Sequence, residues 1–277
     1  MTPSVDAEID RYLRTGATDP HSRAWPSESF MARHMRARED LRRALVAEVT
    51  RRSQGAVIHQ IPPPEEVEAL ARRKTEPMVR GLFPRAEQEA VLALVERSIV
   101  FLTPDTIAEV LREESFDHAA WDLANLYLES AGAELLGSEA PRLLGISQDT
   151  TCYVSPRYFE EDDPFADFIV HEVAHIFHNC KRHTAGLRSS RRREWMLEIK
   201  YQKRETFAYA CEAFSRIVER GLRPAARASM ARAFGKRFRC GDTCVDNAEV
   251  ADIVLEAAGR RNGWKVILAR CAPRTRT

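Results

Sequence analysis

The sequence contains no apolar run of about eighteen residues, so we predict that no segment crosses a membrane. The residues before Pro26 are polar and lack the charged-then-apolar pattern of a secretory signal. Glycine accounts for only 12 of 277 residues, which favours a helix-rich fold. Because 42 lysines and arginines nearly balance 41 aspartates and glutamates, the charge gives no indication of a nucleic-acid partner.

Disulfides are not expected either, although the chain has six cysteines. In a chain of this length without a secretory signal, we interpret them as reduced thiols of a cytoplasmic protein. Cys240, Cys244 and Cys271 leave open a second, structural metal site or a disulfide, but their spacing is not that of a standard zinc site.

The succession of patterns predicts an α+β fold that is mostly helical. Residues 1–30 are polar, and we expect partial disorder there. Residues 31–97 form a helical N-terminal region, residues 98–222 a mixed core, and residues 223–277 a helical C-terminal region. The N-terminal region has three predicted helices, at residues 31–52, 64 to about 74, and 85–97.

A short hairpin is predicted in the mixed core, with strands at residues 143–146 and 150–155. We expect residues 151–155 to be an edge strand beside a cleft, where the backbone of a peptide could pair with it. An ordinary hairpin without a ligand is the alternative.

The most informative stretch is the HExxH pattern of His171, Glu172 and His175. On a helix, positions i and i+4 lie on one face, so two imidazoles can occupy adjacent corners of a zinc tetrahedron. Glu172 can then reach a water at the open corner and act as a general base. The motif therefore predicts a zinc-dependent hydrolase.

The flanking sequence agrees with a buried metal-binding helix. Asp163 suits an N-cap and Pro164 the first helical position, so we place the start of the helix there. Many apolar side chains in the following turns predict that the helix is buried. A core helix with satisfied histidines and an exposed glutamate remains the alternative.

A catalytic zinc needs a third protein ligand. We predict one long helix over residues 193–219, which carries four candidate carboxylates along one side, Glu194, Glu198, Glu205 and Glu212. Spacing alone does not choose among them. His178 lies too far along its helix to converge with the other histidines, so we interpret it as an outer residue, and His183 is a further possibility.

HExxH followed by a glutamate on a second helix resembles the gluzincin group of zinc metallopeptidases. The run from Glu205 through Thr206 and Phe207 to Ala208 is similar to the pattern of the ImmA/IrrE-type peptidases and the aminopeptidases. Glu194 also matches an aminopeptidase spacing, but Trp195-Met196 follows it. The resemblance covers about residues 150–220 and implies a zincin-like core with a small sheet and two metal-binding helices.

The resemblance implies a Zn²⁺ ion held by His171, His175 and Glu205, with Glu172 as general base. Tyr209 is our candidate for a second catalytic residue that stabilises the oxyanion or orients a histidine. Tyr153 and His183 are its rivals. Glu212 is a candidate acceptor for a histidine N–H.

The predicted function is a metallopeptidase acting on a peptide or protein, and an endopeptidase is favoured over an aminopeptidase. The alternative is a non-catalytic, zincin-like protein with a regulatory or DNA-associated role. A basic run between the two predicted helices, residues 181–193, could bind an acidic peptide or nucleic acid, but we favour a solvated loop. The sequence does not indicate an oligomeric state.

Overall fold

A computed structural model describes residues 3–27, 29–56, 61–190, 193–221 and 223–273. The fold is α+β and mostly helical, with one three-stranded sheet, as predicted. The elements in chain order are α1 (Val5–Thr15), α2 (Phe30–Arg52), α3 (Pro64–Leu82), α4 (Arg85–Glu96), β1 (Ile99–Phe101), α5 (Ile107–Glu113), α6 (Asp117–Ser130), β2 (Gly145–Gln148), β3 (Thr151–Val154), α7 (Phe168–Asn179), α8 (Arg204–Glu219), α9 (Pro224–Arg237), α10 (Asn247–Ala258) and α11 (Gly263–Cys271).

The chain forms two compact units. The first comprises residues 1–61, 101–144 and 155–157, and the second comprises residues 62–100, 145–154 and 158–277. Each unit is therefore assembled from separate stretches, whereas the regions predicted from the sequence were contiguous.

In the first unit, α2 packs against α1, α5 and α6. Helix α1 lies where we expected partial disorder, and Ser4 caps it by accepting a hydrogen bond from Ala7 N. The buried Arg42 guanidinium donates to the Tyr12 hydroxyl at 2.8 Å. It also pairs with Asp117 at 2.9 Å, which satisfies a charge that would be costly to bury alone.

In the second unit, α3 continues to Leu82, so the predicted end near Lys74 was wrong. Pro77 lies inside the helix, where a proline costs about 3 kcal/mol. Met78, Val79 and Leu82 are nearly fully buried beyond it. Burial of each such side chain contributes about 1.5–3 kcal/mol, so their sum outweighs the cost of the proline.

The sheet of the second unit has the order β1-β3-β2, and β2 and β3 form an antiparallel hairpin. On its other side β3 is joined to β1, where Cys152 N donates to Ser98 O at 2.7 Å. Our prediction that residues 151–155 form the edge strand was therefore wrong. The edge strand of the hairpin is β2. The prediction failed because the sequence of a hairpin does not specify which of its two strands a third strand joins.

Helix α7 begins at Phe168, with Asp167 as its cap, and not at Asp163 and Pro164 as predicted. The Asp167 carboxylate accepts from Val170 N at 3.3 Å, and its own N–H donates to Glu212 at 2.9 Å. The tertiary contact with Glu212 therefore fixes the start of the helix. Most residues of α7 are buried, as its apolar sequence predicted.

The helix predicted over residues 193–219 is shorter than expected, because α8 begins at Arg204. Residues 195–200 are not helical, and Met196 N and Leu197 N donate to the carbonyls of Cys180 and Phe177. These bonds satisfy carbonyl groups at the end of α7 that a helix leaves unpaired. Helix α8 packs against α7 and ends before Gly221, which has φ +60°.

The C-terminal region, predicted to be helical, contains α9, α10 and α11. All six cysteines carry free thiols. No helix among the described residues combines the length and hydropathy needed to cross a bilayer.

Candidate metal centre

Three side chains of the second unit converge on one point. Glu205 Oε2 lies 3.6 Å from His171 Nε2 and 3.5 Å from His175 Nε2. The histidines project from one face of α7, and Glu205 projects from the first turn of α8, which packs against it. Within the described ranges, they form the one cluster of at least three potential ligand side chains whose ligand atoms all lie within 4.8 Å.

The separations fit a zinc ion. Ligand atoms about 2.0–2.1 Å from a tetrahedral zinc lie about 3.4 Å from one another. The two measured distances to Glu205 are within a few tenths of an ångström of that value. The donor set, two imidazoles and one carboxylate, is also one that catalytic zinc sites use.

A carboxylate behind His171 fixes the orientation of its ring. Glu212 Oε2 lies 3.0 Å from His171 Nδ1, and Glu212 Oε1 accepts from the N–H of Asp167. Because a carboxylate only accepts, Nδ1 carries the proton and donates it. His171 Nε2, the nitrogen that faces Glu205, is therefore the one left to bind a metal ion once it carries no proton. The predicted role of Glu212 as an outer acceptor agrees with this geometry.

A different partner orients His175. Its Nδ1 lies 3.0 Å from His178 Nε2, and His178 Nδ1 lies 3.1 Å from Asn179 Oδ1. Arg204 donates to the same amide oxygen at 3.1 Å, so that atom is an acceptor and His178 Nδ1 is a donor. Burial, and then the neighbouring His175 and Arg204, lower the pKa of His178 to about 3. Neutral His178 therefore accepts from His175 Nδ1, which leaves His175 Nε2, the nitrogen that faces Glu205, available to a metal ion once it carries no proton.

The charges of the cluster complement one another. Burial lowers the pKa of His171, but hydrogen bonds with Glu205 and Glu212 outweigh it and raise that pKa well above its usual value. Burial raises the pKa of Glu205, yet its bonds to the two histidines lower it overall. Glu205 is therefore a carboxylate, the form that binds a cation.

Glu172 is buried between α7 and β2, with 7% of its surface exposed. Ser147 Oγ lies 2.5 Å from Glu172 Oε2 and 2.8 Å from the carbonyl oxygen of the same residue. The candidate base thus has a fixed neighbour on the edge strand.

Tyr209 is one turn beyond Glu205, and its ring packs edge-to-face on His171 with 4.6 Å between centroids. Burial, and then a hydrogen bond with Cys240, raise the pKa of its phenol. The ring contact agrees with a role in orienting His171, whereas the hydroxyl interacts with the Cys240 thiol. Its role as an oxyanion donor stays a prediction.

The other candidate carboxylates lie elsewhere. Glu194 pairs with Lys181 at 2.8 Å, and Glu198 accepts from Trp195 N at 3.4 Å. Both residues come before α8, and neither supplies a ligand atom to the cluster. His183 and the group of Cys240, Cys244 and Cys271 supply no ligand atom to it either.

The predicted solvated loop at residues 181–193 is partly buried, and residues 191–192 lie outside the described residues. Arg182 is 2% exposed and pairs with Glu87 at 2.7 Å, while Arg193 approaches the same carboxylate. The sequence did not indicate that Arg182 would be buried beside Glu87, because the two residues are distant in sequence.

Sequence reasoning missed Ser147 and Gly145, which contact the side chain of Glu172. Neither is part of a motif, and only the position of β2 relative to α7 reveals them. No known protein-family model matches the chain, and no significant similarity links it to a curated protein or a solved structure. The geometry of the cluster is therefore the basis for a functional assignment.

Proposed function

We propose that the chain is a zinc-dependent metallopeptidase. The observation that carries the proposal is the convergence of His171, His175 and Glu205, with ligand separations that suit tetrahedral zinc. Glu172, beside the first ligand on the same helix, supplies the acid-base group that hydrolysis needs.

The proposed reaction needs both the zinc ion and side chains of the protein. When bound, zinc polarises a carbonyl and makes water more acidic. Glu172 takes a proton from the attacking water and returns it to the nitrogen of the leaving amine. Glu212 and His178 keep the protons of both ligand histidines on Nδ1, away from the ion.

The position of β2 supports a peptide substrate. Cys152 lies opposite Ser147, and its N–H points to β1 and not to β2. In an antiparallel pair, opposite residues direct their backbone groups either towards each other or both away, so the N–H and C=O of Ser147 point away from β3. This edge lies beside Glu172 and can pair with an extended backbone.

The test joins metal analysis with digestion of a broad peptide library. We expect about one zinc per chain and cleavage that stops on chelation. Glu172→Gln should retain the zinc and lose cleavage by about 10²–10⁴-fold, because the general base is lost. Glu198→Gln, a carboxylate outside the cluster, should behave as the native chain.

The same experiment separates the alternative function. A native chain that holds zinc yet cleaves no peptide would favour a non-catalytic, zincin-like role.

Tyr209→Phe separates the two candidate roles of Tyr209, because it removes the hydroxyl and keeps the ring against His171. A loss of cleavage with zinc retained would support the oxyanion role.

A further inference from the structure

The side chain of Glu172 lies against strand β2 along most of its length. Ser147 Oγ approaches its Oε2 at 2.5 Å and its backbone oxygen at 2.8 Å. A serine hydroxyl has one proton, and O–H···O⁻ bonds are the shorter kind, about 2.5–2.7 Å. The proton of Ser147 is therefore directed at the carboxylate.

Gly145 forms the other half of the contact. It lies two residues before Ser147, so both residues present the same face of the strand. A Cβ at Gly145 would lie 2.6 Å from Glu172 Cγ and 2.6 Å from its Oε1. The strand can approach Glu172 this closely because Gly145 has no side chain.

We propose that Gly145 and Ser147 are positioning residues that form a seat for the general base on β2. Ser147 holds one carboxylate oxygen by a hydrogen bond, and Gly145 leaves the space that the other oxygen and the Cγ atom occupy. This inference rests on the proposed peptidase function, because a seat matters to catalysis only where Glu172 moves protons.

A fixed base is valuable because general-base catalysis requires hydrogen-bond reach to the proton that is removed. A glutamate side chain has several rotamers, and supporting contacts hold a reactive group within about 0.5 Å of its productive position. The seat also holds Glu172 against β2, the strand whose outer edge faces away from β3.

The first test is a set of kinetic variants. We expect Ser147→Ala to lower kcat by about tenfold or more, with KM changed less than about twofold and zinc content unchanged. Ser147→Thr should restore most of kcat, because it keeps the hydroxyl. Thr151→Val, which removes a hydroxyl from the same hairpin without a contact to Glu172, is the matched control.

A purely structural hydroxyl would give a different result. It would lower the melting temperature and zinc content of Ser147→Ala together while kcat per zinc-loaded chain stayed native, and this outcome would overturn the proposal. Gly145→Ala should lower kcat by about 100-fold or more with zinc retained, because the added Cβ displaces the base. A native kcat for Gly145→Ala would also overturn it.

A second test needs no activity. In zinc-free protein, Ser147→Ala should lower the melting temperature clearly in the native background and by less than half as much in a Glu172→Ala background. Equal shifts in both backgrounds would mean that the seat does not exist. The two substitutions could be coupled in a chain that binds zinc but cleaves no peptide. That result would refute both the peptidase function and the positioning role, and the contact between Ser147 and Glu172 would be only structural.

Discussion

At the scale of single residues, the two histidines of the proposed metal site are held by partners of different charge. His171 donates to the carboxylate of Glu212, whereas His175 donates to the neutral ring of His178. A carboxylate acceptor makes an imidazole a stronger electron donor than a neutral acceptor does. As proposed ligands, the two histidines should therefore differ in basicity, although the motif makes them look equivalent.

The identity of the third ligand is the most direct prediction. Glu205→Ala should weaken zinc binding by at least about 100-fold, since loss of a ligand costs more than loss of an outer partner. Glu194→Ala and Glu198→Ala should bind zinc as the native chain does, because their carboxylates pair outside the cluster. Titration against a chelating indicator measures all three, and a reversed order would exclude the proposed ligand set.

Glu212→Gln tests the support of His171. An amide retains one acceptor oxygen, so it cannot serve both His171 Nδ1 and Asp167 N. We expect zinc affinity to fall about 10–100-fold in competition with a chelator. Glu219→Gln, on the same helix and without a contact to either histidine, is the control, and equal affinities for both variants would contradict the assignment.

At the scale of elements, α7 is fixed at both ends by other segments of the chain, some before it and some after it. Glu212 of α8 binds the backbone N–H of its cap, and Lys74 of α3 approaches the Asp167 carboxylate at 3.2 Å. At the other end, residues 195–200 supply donors for its last carbonyls. A helix held in this way keeps its histidine face in one orientation towards α8.

In the first unit, α2 carries an ion-pair group that makes stability depend on pH. Hydrogen bonding with Arg51, and further bonds with Arg52, lower the pKa of Glu48 from 4.5 to about 2, against the effect of burial. Because the pKa is lower in the folded state, the stabilisation is present above pH 4.5 and is lost as the pH falls towards 2.

We therefore expect Glu48→Gln to lower the free energy of unfolding by about 1 kcal/mol near pH 7, as for partly exposed pairs. The difference from the native chain should shrink between pH 4.5 and 2. Denaturant unfolding at several pH values measures it. Glu39→Gln, an exposed position of α2 that pairs with no described residue, should show no such trend.

At the scale of the whole molecule, every residue assigned to the site belongs to the second unit. Metal binding to the folded form alone stabilises by about 2.7 kcal/mol when free metal is 100 times the Kd. Zinc should therefore stabilise the second unit and leave the first largely unaffected.

Hydrogen exchange with and without a chelator tests this division. We expect removal of zinc to reduce the protection of amides in α7 and α8, and to leave that of α2 and α6 unchanged. Equal loss of protection in both units would show that metal binding stabilises the chain as one cooperative structure. Unchanged protection throughout would argue against a zinc site in the native protein.

The sequence by itself determined the local features. HExxH spacing places two histidines and a glutamate on one helix because the period of a helix is fixed. Apolar periodicity identified most helices, and turn residues identified the β2–β3 hairpin. Each of these features depends on interactions between residues close in sequence.

Only the tertiary structure decided which carboxylate meets the histidines, which strand lies at the edge and where the base rests. Glu194, Glu198 and Glu205 had equivalent positions in one predicted helix, but residues 195–200 bond to the end of α7 and are not helical. The contacts of Ser147 and Gly145 with Glu172 cross more than twenty residues of chain. Such contacts follow from packing of distant segments, which periodicity and spacing do not encode.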